Sequence, residues 1–251
     1  MPTPTARATH DALFPGHVST LAVTDPELIE IFDDLAFDEI LEHSELTPRL
    51  RLITQLAALI GAGATAEFRA MLGAALAVGV TPVEAKEVVY QSVPYVGMGR
   101  AFDVVHAAND VLTARGVDLP LPGQSTTTRE TRAAAGRAVQ ERIVGAERVA
   151  AMYAGAPDDE QHVQRLLSAH CFGDHYTRTG LDVPTRELVT LALLVGLGGA
   201  DAQVRGHIAA NVNVGNDRAV LIDVVTQLLP FVGYPRTLNA LAAIDEIAPA
   251  A

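Results

Sequence analysis

The chain repeats itself. QSVPYVGMGRAFD at Gln91 to Asp103 returns as QLLPFVGYPRTLN at Gln227 to Asn239, 136 positions later. The same shift, with no gap, sets Pro48 on Pro184, Arg69 on Arg205, Gly79 on Gly215, Pro94 on Pro230, Gly97 on Gly233 and Arg100 on Arg236. Residues 48–100 and 184–236 share 17 identities in 53 positions, where unrelated Ala-rich segments would share about 4. A tandem duplication of this kind has to fold as two like modules. A helical hairpin cannot bury both of its faces alone, so each copy offers the other a quasi-symmetric partner and the duplication predicts a fused dimer.

Composition settles what the modules are made of. The chain is 49 % hydrophobic, with 5 % aromatic residues and no Trp, and its Ala, Leu and Val favour packed helices over strands. The predicted fold is all-α, a multi-helix bundle of two duplicated modules. Each copy reads as helix, tight turn, helix, then a loop and two more helices. In the second copy Asp182 and Pro184 suit a helix start, and RELVTLALLVGL runs apolar toward Gly198-Gly199. The next helix spans Asp201 to Val214 and ends at Gly215; Asn216 or Asp217 caps the helix carrying VLIDVVTQLL, which Pro230 and Gly233 break before the last one. The first copy repeats this punctuation at Pro48, Gly61, Gly63, Gly79, Thr81-Pro82, Pro94 and Gly97. Between the copies LPLPGQSTTTR is linker-like. The expected division is a first module over 1–118, a linker over 119–130 and a second module over 131–251. RETRAAAGRAVQERIVGAERVAAMYAG, after the linker, reads as one long amphipathic helix.

Charge and cysteine content exclude several functions. A net charge of −12 and a pI near 5.0 repel the phosphate backbone, and no basic run offsets them, so nucleic acid is not an expected partner. The start has no apolar secretory core and no apolar segment reaches membrane-spanning length, which predicts a cytoplasmic protein with no membrane partner. A single cysteine, Cys171, excludes an intrachain disulfide, a C-x-x-C redox pair and a multi-cysteine zinc site. Among apolar and His neighbours it reads as packing rather than as a nucleophile.

Substitutions between the copies point to chemistry. Glu187 stands where the first copy has Arg51, and His207 where it has Met71. A carboxylate and an imidazole on consecutive helices make a proton-transfer pair, the carboxylate fixing the tautomer of the ring; a dipole-favoured Glu near a helix start and a satisfied core His are the plainer alternative. Just upstream, SAHCFGDHYTRTGLD gathers His170, Cys171, Asp174, His175, Tyr176 and Arg178, where the first copy's DDLAFDEILEHSELT is acidic and apolar. His170, His175, Tyr176 and Arg178 form the expected cationic and polar patch for a small anionic substrate. Tyr234 and Arg236 join them as substrate-binding candidates, although a repeated Arg also suits a structural ion pair. His170, Asp174 and His175 are conceivable metal ligands, but H-x(3)-D-H is not a specific signature, and no metal is expected.

RELVTLALLVGLGGADAQVRGHIAANVNVG followed by QLLPFVGYPRTLNAL resembles the carboxymuconolactone decarboxylase family over most of 154–248, with a more divergent module over about 18–112. The resemblance implies an all-helical fold whose modules assemble into trimeric or hexameric rings, so that a homotrimer of this chain gives six modules. The branch that resembles alkylhydroperoxidase-D proteins uses a C-x-x-C pair at the positions of Ala200 to Gln203; that pair is absent here, and thiol peroxidase chemistry needs two sulfurs. The branch that resembles γ-carboxymuconolactone decarboxylase converts 4-carboxymuconolactone to the 3-oxoadipate enol-lactone and CO2 without a cofactor. Glu187 and His207 match its REL and R-x-H positions. The resemblance implies His207 as the proton donor, Glu187 as its orienting carboxylate, and Arg178 with His175 or His170 holding the substrate carboxylate. An isomerase or hydrolase on a similar substrate is the near alternative, and a noncatalytic helical ligand-binding or scaffold protein the distant one. A bare scaffold has no reason to concentrate His, Tyr, Arg and Glu in one copy.

Overall fold

The computed structural model describes residues 1–17 and 19–250, and these form helices with no strand among them. The first half runs α1 Pro4–Leu13, α2 Leu21–Thr24, α3 Pro26–Phe37, a 3₁₀ turn at Glu39–His43, α4 Pro48–Ala62, α5 Thr65–Ala77 and α6 Pro82–Ala114. The second runs α7 Arg132–Val144, α8 Ala146–Gly155, α9 Gln161–Leu166, a wide π-type turn at Leu167–Tyr176, α10 Val183–Leu197, α11 Asp201–Asn213, α12 Arg218–Val232 and α13 Tyr234–Ile247. The helix starts follow the sequence punctuation. Thr81 accepts from the Glu84 amide at 3.2 Å while Glu84 reaches back to the Thr81 amide, and at the matching position Asp217 accepts from the Val220 amide at 3.0 Å, in both cases satisfying amides the first helical turn leaves free.

The repeated P-x-V-G-x-x-R motif now has a mechanical reading. Gly97 and Gly233 sit at φ 76° and 77°, a region glycine enters without penalty, and each breaks the chain direction. α6 is therefore two helical pieces meeting at Gly97, matching α12 and α13. Pro94 and Pro230 stay inside their helices, so the glycine alone makes the break. Three residues on, Arg100 donates to the Gly61 carbonyl at the end of α4 at 2.8 Å, and Arg236 donates to the Gly196 carbonyl at the end of α10. The repeated arginine is a cap on a helix C-terminus, where carbonyls lack partners.

The two copies share one hydrophobic core, with α4 and α10 at its centre. They approach closely enough that a Cβ on Gly61 would stand 2.2 Å from the Leu193 carbonyl oxygen, and one on Gly196 2.2 Å from that of Ala58. The flanking helices interleave: the first piece of α6 packs on α10 as well as on α4, and α12 packs on α4 as well as on α10. Two expectations change. The long helix after the linker splits into α7 and α8 at Gly145, whose φ of 96° no helix contains. The linker is not loose, since Thr126 and Thr127 donate to the carbonyls of Thr177 and Gly173 at 2.8 and 2.9 Å, and Thr179 donates its amide to Gln124 at 3.0 Å. Its Ser/Thr run ties the segment down as a strap between the halves.

Candidate active site

The Gly198–Ala200 turn folds α11 back along α10, and this places His207 Nδ1 2.8 Å from Glu187 Oε2. The carboxylate is wholly buried, whereas the imidazole keeps 16 % exposure. Asn211, one turn beyond His207, donates to the Glu187 carbonyl at 3.1 Å and the His207 carbonyl at 2.7 Å, and its own oxygen accepts from Asn216 at 2.8 Å. The backbones of both partners are thereby fixed. Nδ1 faces the carboxylate, which leaves Nε2 as the nitrogen that meets a ligand, and Glu187 Oε1 is buried with no hydrogen-bond partner among the described residues. The sequence-level pair is a real contact.

The first copy completes the site. Tyr95, in α6, meets the His207 ring edge-on with centroids 5.6 Å apart. Its hydroxyl lies 3.0 Å from that of Tyr176, which lies 2.8 Å from the Thr190 hydroxyl. Gln91 donates to Thr190 at 3.3 Å and accepts from Arg186 at 3.1 Å, and Arg186 donates to Glu87 at 2.9 Å. Glu87, Gln91 and Tyr95 are four residues apart on one helix, Arg186 and Thr190 four apart on another, so two facing stripes pair into a buried polar ladder. Burial holds the Tyr95 and Tyr176 hydroxyls well above the usual tyrosine range, so both remain protonated hydrogen-bond donors.

The remaining candidates divide. Tyr176 is part of the ladder. Arg178 points away from His207: it grips Glu87 through Nε and Nη2 at 2.8 to 3.1 Å, a bidentate pair that uses its planar fork and leaves only Nη1 uncommitted. His170 is exposed and stands edge-on to His175 at 5.0 Å. Burial, then the neighbouring His170 and Arg178, lowers the pKa of His175 to about 4, so this ring is neutral at neutral pH and is no cation for a carboxylate. Asp174 pairs with Arg132, and among the described residues no three His, Cys, Asp or Glu side chains gather as a metal cage. Tyr234 is 61 % exposed at the start of α13, and Arg236 is occupied as a helix cap. Cys171 is buried 3.8 Å from the Tyr95 hydroxyl, and burial pushes its thiol up to about 12; it is packing, not a thiolate nucleophile.

Tyr95, Gln91 and Glu87 were not among the residues singled out in the sequence. The signal was present: Tyr95 replaces Phe231 of the other copy, adding a hydroxyl within the repeated motif itself. Two clefts lie elsewhere. One of about 530 Å³ is bounded by Gly198, Asp201, Arg205, Arg236 and Glu246, and one of about 380 Å³ lies beneath the strap. Neither contains Glu187 or His207, whose open edge is the exposed face of the imidazole.

A duplicated helical module with one buried Glu–His pair, walled by a tyrosine from the other copy, defines the class of protein. The chain belongs to the carboxymuconolactone decarboxylase family, which it matches over residues 26–110 and 161–246, once in each copy. It is also 29 % identical over 118 residues, 47 % of this chain and 87 % of the relative's, to the 4-carboxymuconolactone decarboxylase of Acinetobacter baylyi (strain ATCC 33305 / BD413 / ADP1). Both similarities support a decarboxylase-like activity. No helix among the described residues is long and apolar enough to cross a membrane.

Proposed function

We propose that this chain is a cofactor-independent carboxy-lyase acting on a small anionic lactone or related ring carboxylate of the 4-carboxymuconolactone type, with His207 and Glu187 as its proton-transfer pair. The observation that carries this is the 2.8 Å contact between His207 Nδ1 and the wholly buried Glu187 carboxylate. The buried carboxylate on Nδ1 fixes the orientation of the ring and turns Nε2 toward the open side, where a proton can pass to a substrate. When the carbon–carbon bond to the substrate carboxylate breaks, CO2 leaves and its bonding electron pair stays on the ring as a dienolate. His207 Nε2–H delivers the proton that converts this dienolate to the enol-lactone, and the imidazole regains a proton from solvent. The Tyr95 ring against His207 limits the orientation of the imidazole, and the buried ladder behind it keeps the local dielectric low, which strengthens the interaction with developing charge.

With Arg178 held by Glu87, we assign the substrate carboxylate to Arg148. This residue is exposed on α8 and makes no ion pair among the described residues. Its Nη2 lies 3.8 Å from where a Cβ on Gly206, the neighbour of His207, would stand. Incubation with 4-carboxymuconolactone should release CO2 and the enol-lactone. His207→Ala and Glu187→Gln should each lower kcat by a factor of about 10²–10⁴, Arg148→Ala should raise KM about tenfold with kcat kept, and Cys171→Ser should leave turnover intact. Full turnover in the first two variants overturns the residue assignment, and no turnover by the folded wild type overturns the substrate.

Exposed apolar pairs recur at equivalent places in the two copies, Met98 with Phe102 at 53 % and 52 % exposure and Tyr234 with Leu238 at 61 % and 58 %. Such repetition suits a contact between copies of the chain, and we assign these faces to a homotrimer of six modules. A monomer by light scattering at micromolar concentration would overturn it.

A further inference from the structure

The strap roofs a cavity of about 380 Å³ whose floor is α6 and whose end wall is Arg178. Its charge is unbalanced. Lys86 and Arg178 line it, and Arg178 shares the one carboxylate there, Glu87, which is 1 % exposed, with the buried Arg186 behind it. Glu87 is the one acid among the described lining residues, and of the acids on the adjoining segments Asp174 pairs with Arg132 and Glu84 with Arg49. Both Lys86 Nζ and the Arg178 guanidinium sit over the Tyr90 ring, 5.2 and 5.0 Å from its centroid, so one electron-rich ring attracts two like charges. Lys86 spends one donor on Asn109 at 2.8 Å, leaving two others, and Arg178 leaves Nη1. In a chain of net charge −12, burying surplus positive charge is costly unless an anion answers it. The remaining walls, Val83, Val105 and Leu119 to Leu121, are apolar.

We infer that the strapped cavity is a second ligand site, which takes a small carboxylate with a flat apolar body. The anion faces Lys86 Nζ and Arg178 Nη1, and the body lies under the strap. Its volume suits such a ligand. The site is separate from His207: Glu87 and Tyr95 are eight residues apart on α6, about 12 Å along the axis. The inference does not rest on the proposed reaction.

Calorimetric titration of the full chain with benzoate tests it, beside benzyl alcohol as the neutral counterpart and inorganic phosphate as an anion without an apolar body. Benzoate should bind once per chain, at least about tenfold more tightly than either control, since charge and body each contribute. Lys86→Met, which keeps the buried stem, should weaken benzoate about tenfold, and so should Leu121→Glu on the strap, which no helix depends on. His207→Ala should bind benzoate as the wild type does. No saturable binding of benzoate, equal binding of benzyl alcohol or phosphate, unchanged affinity in both Lys86→Met and Leu121→Glu, or loss of binding in His207→Ala would each overturn the site.

Discussion

At matching positions the two halves of the molecule carry the same scaffold and opposite chemistry. Glu187, His207 and Tyr95 meet on one side; their counterparts under the 136-residue shift are Arg51, Met71 and Phe231. Met71 is 1 % exposed in the core, and Phe231 packs edge-on against Phe32 at 5.9 Å. The supporting residues are shared yet differently employed. Gln91 and Thr190 bridge to Arg186 and Tyr176, whereas their identical counterparts turn inward: Gln227 donates to the Ile40 carbonyl at 2.8 Å, and Thr54 donates to the Arg51 carbonyl at 2.8 Å. Polar residues that satisfy only backbone are structural, and the same residues aligned toward titratable partners become part of a site. The identities between the copies therefore mark the frame, and three differences mark the chemistry.

The contrast breaks most sharply at Glu87. It answers both Arg178 and Arg186, so Glu87→Gln leaves buried positive charge unpaired and should cost about 3–5 kcal/mol in urea unfolding. Its counterpart Asp223 accepts, among the described residues, only the Glu45 amide, and Asp223→Asn should cost about 1 kcal/mol or less. Equal losses would mean that Glu87 holds the two arginines no more strongly than Asp223 holds one amide. His175 has no imidazole counterpart, since Glu39 occupies the matching position. Its folded pKa of about 4 lies below the ordinary 6.5, so below pH 6.5 the unfolded chain takes a proton that the folded chain refuses. Stability should then fall between pH 6.5 and 4, by about 2 kcal/mol after allowance for solvent screening, and be unaffected above that window. His175→Gln should remove that part of the acid sensitivity, as Tm against pH would record. Smallest is the hydroxyl of Tyr95: Tyr95→Phe should lower turnover about tenfold or less, while Phe231→Tyr on the silent side should leave it unchanged. A reversed order would place the working site in the first copy.

Much of the frame was legible because duplication reports on backbone. Pro, Gly and cap residues act through local φ/ψ and hydrogen bonds, and local rules transfer from one copy to the other; hence the helix breaks at Gly97 and Gly233 were readable, while Gly145 was missed because no second copy marks it. Of the site, Glu187 and His207 were readable as substitutions on adjacent helices. The pairing of Arg178 with Glu87 was not, because the partners lie 91 positions apart and meet only where α6 packs against α10 and the turn that precedes it. The same interleaving hid Tyr95, which looked like an aromatic of the repeated motif until its hydroxyl found Tyr176. Periodicity shows which face of a helix is buried, not which helix from the other copy it will meet.

The ladder from Glu87 through Arg186, Gln91, Thr190 and Tyr176 to Tyr95 draws its rungs from both copies. A newly duplicated gene has two parts that can each be lost, shuffled or replaced. Once one pocket is walled by residues of both, that freedom is gone: deleting either half, or exchanging it for the matching half of a relative, strands a buried arginine or carboxylate in the half that remains. The side-chain interlock acts as a ratchet on the gene, and it makes the pair of repeats, rather than either repeat, the unit that is inherited.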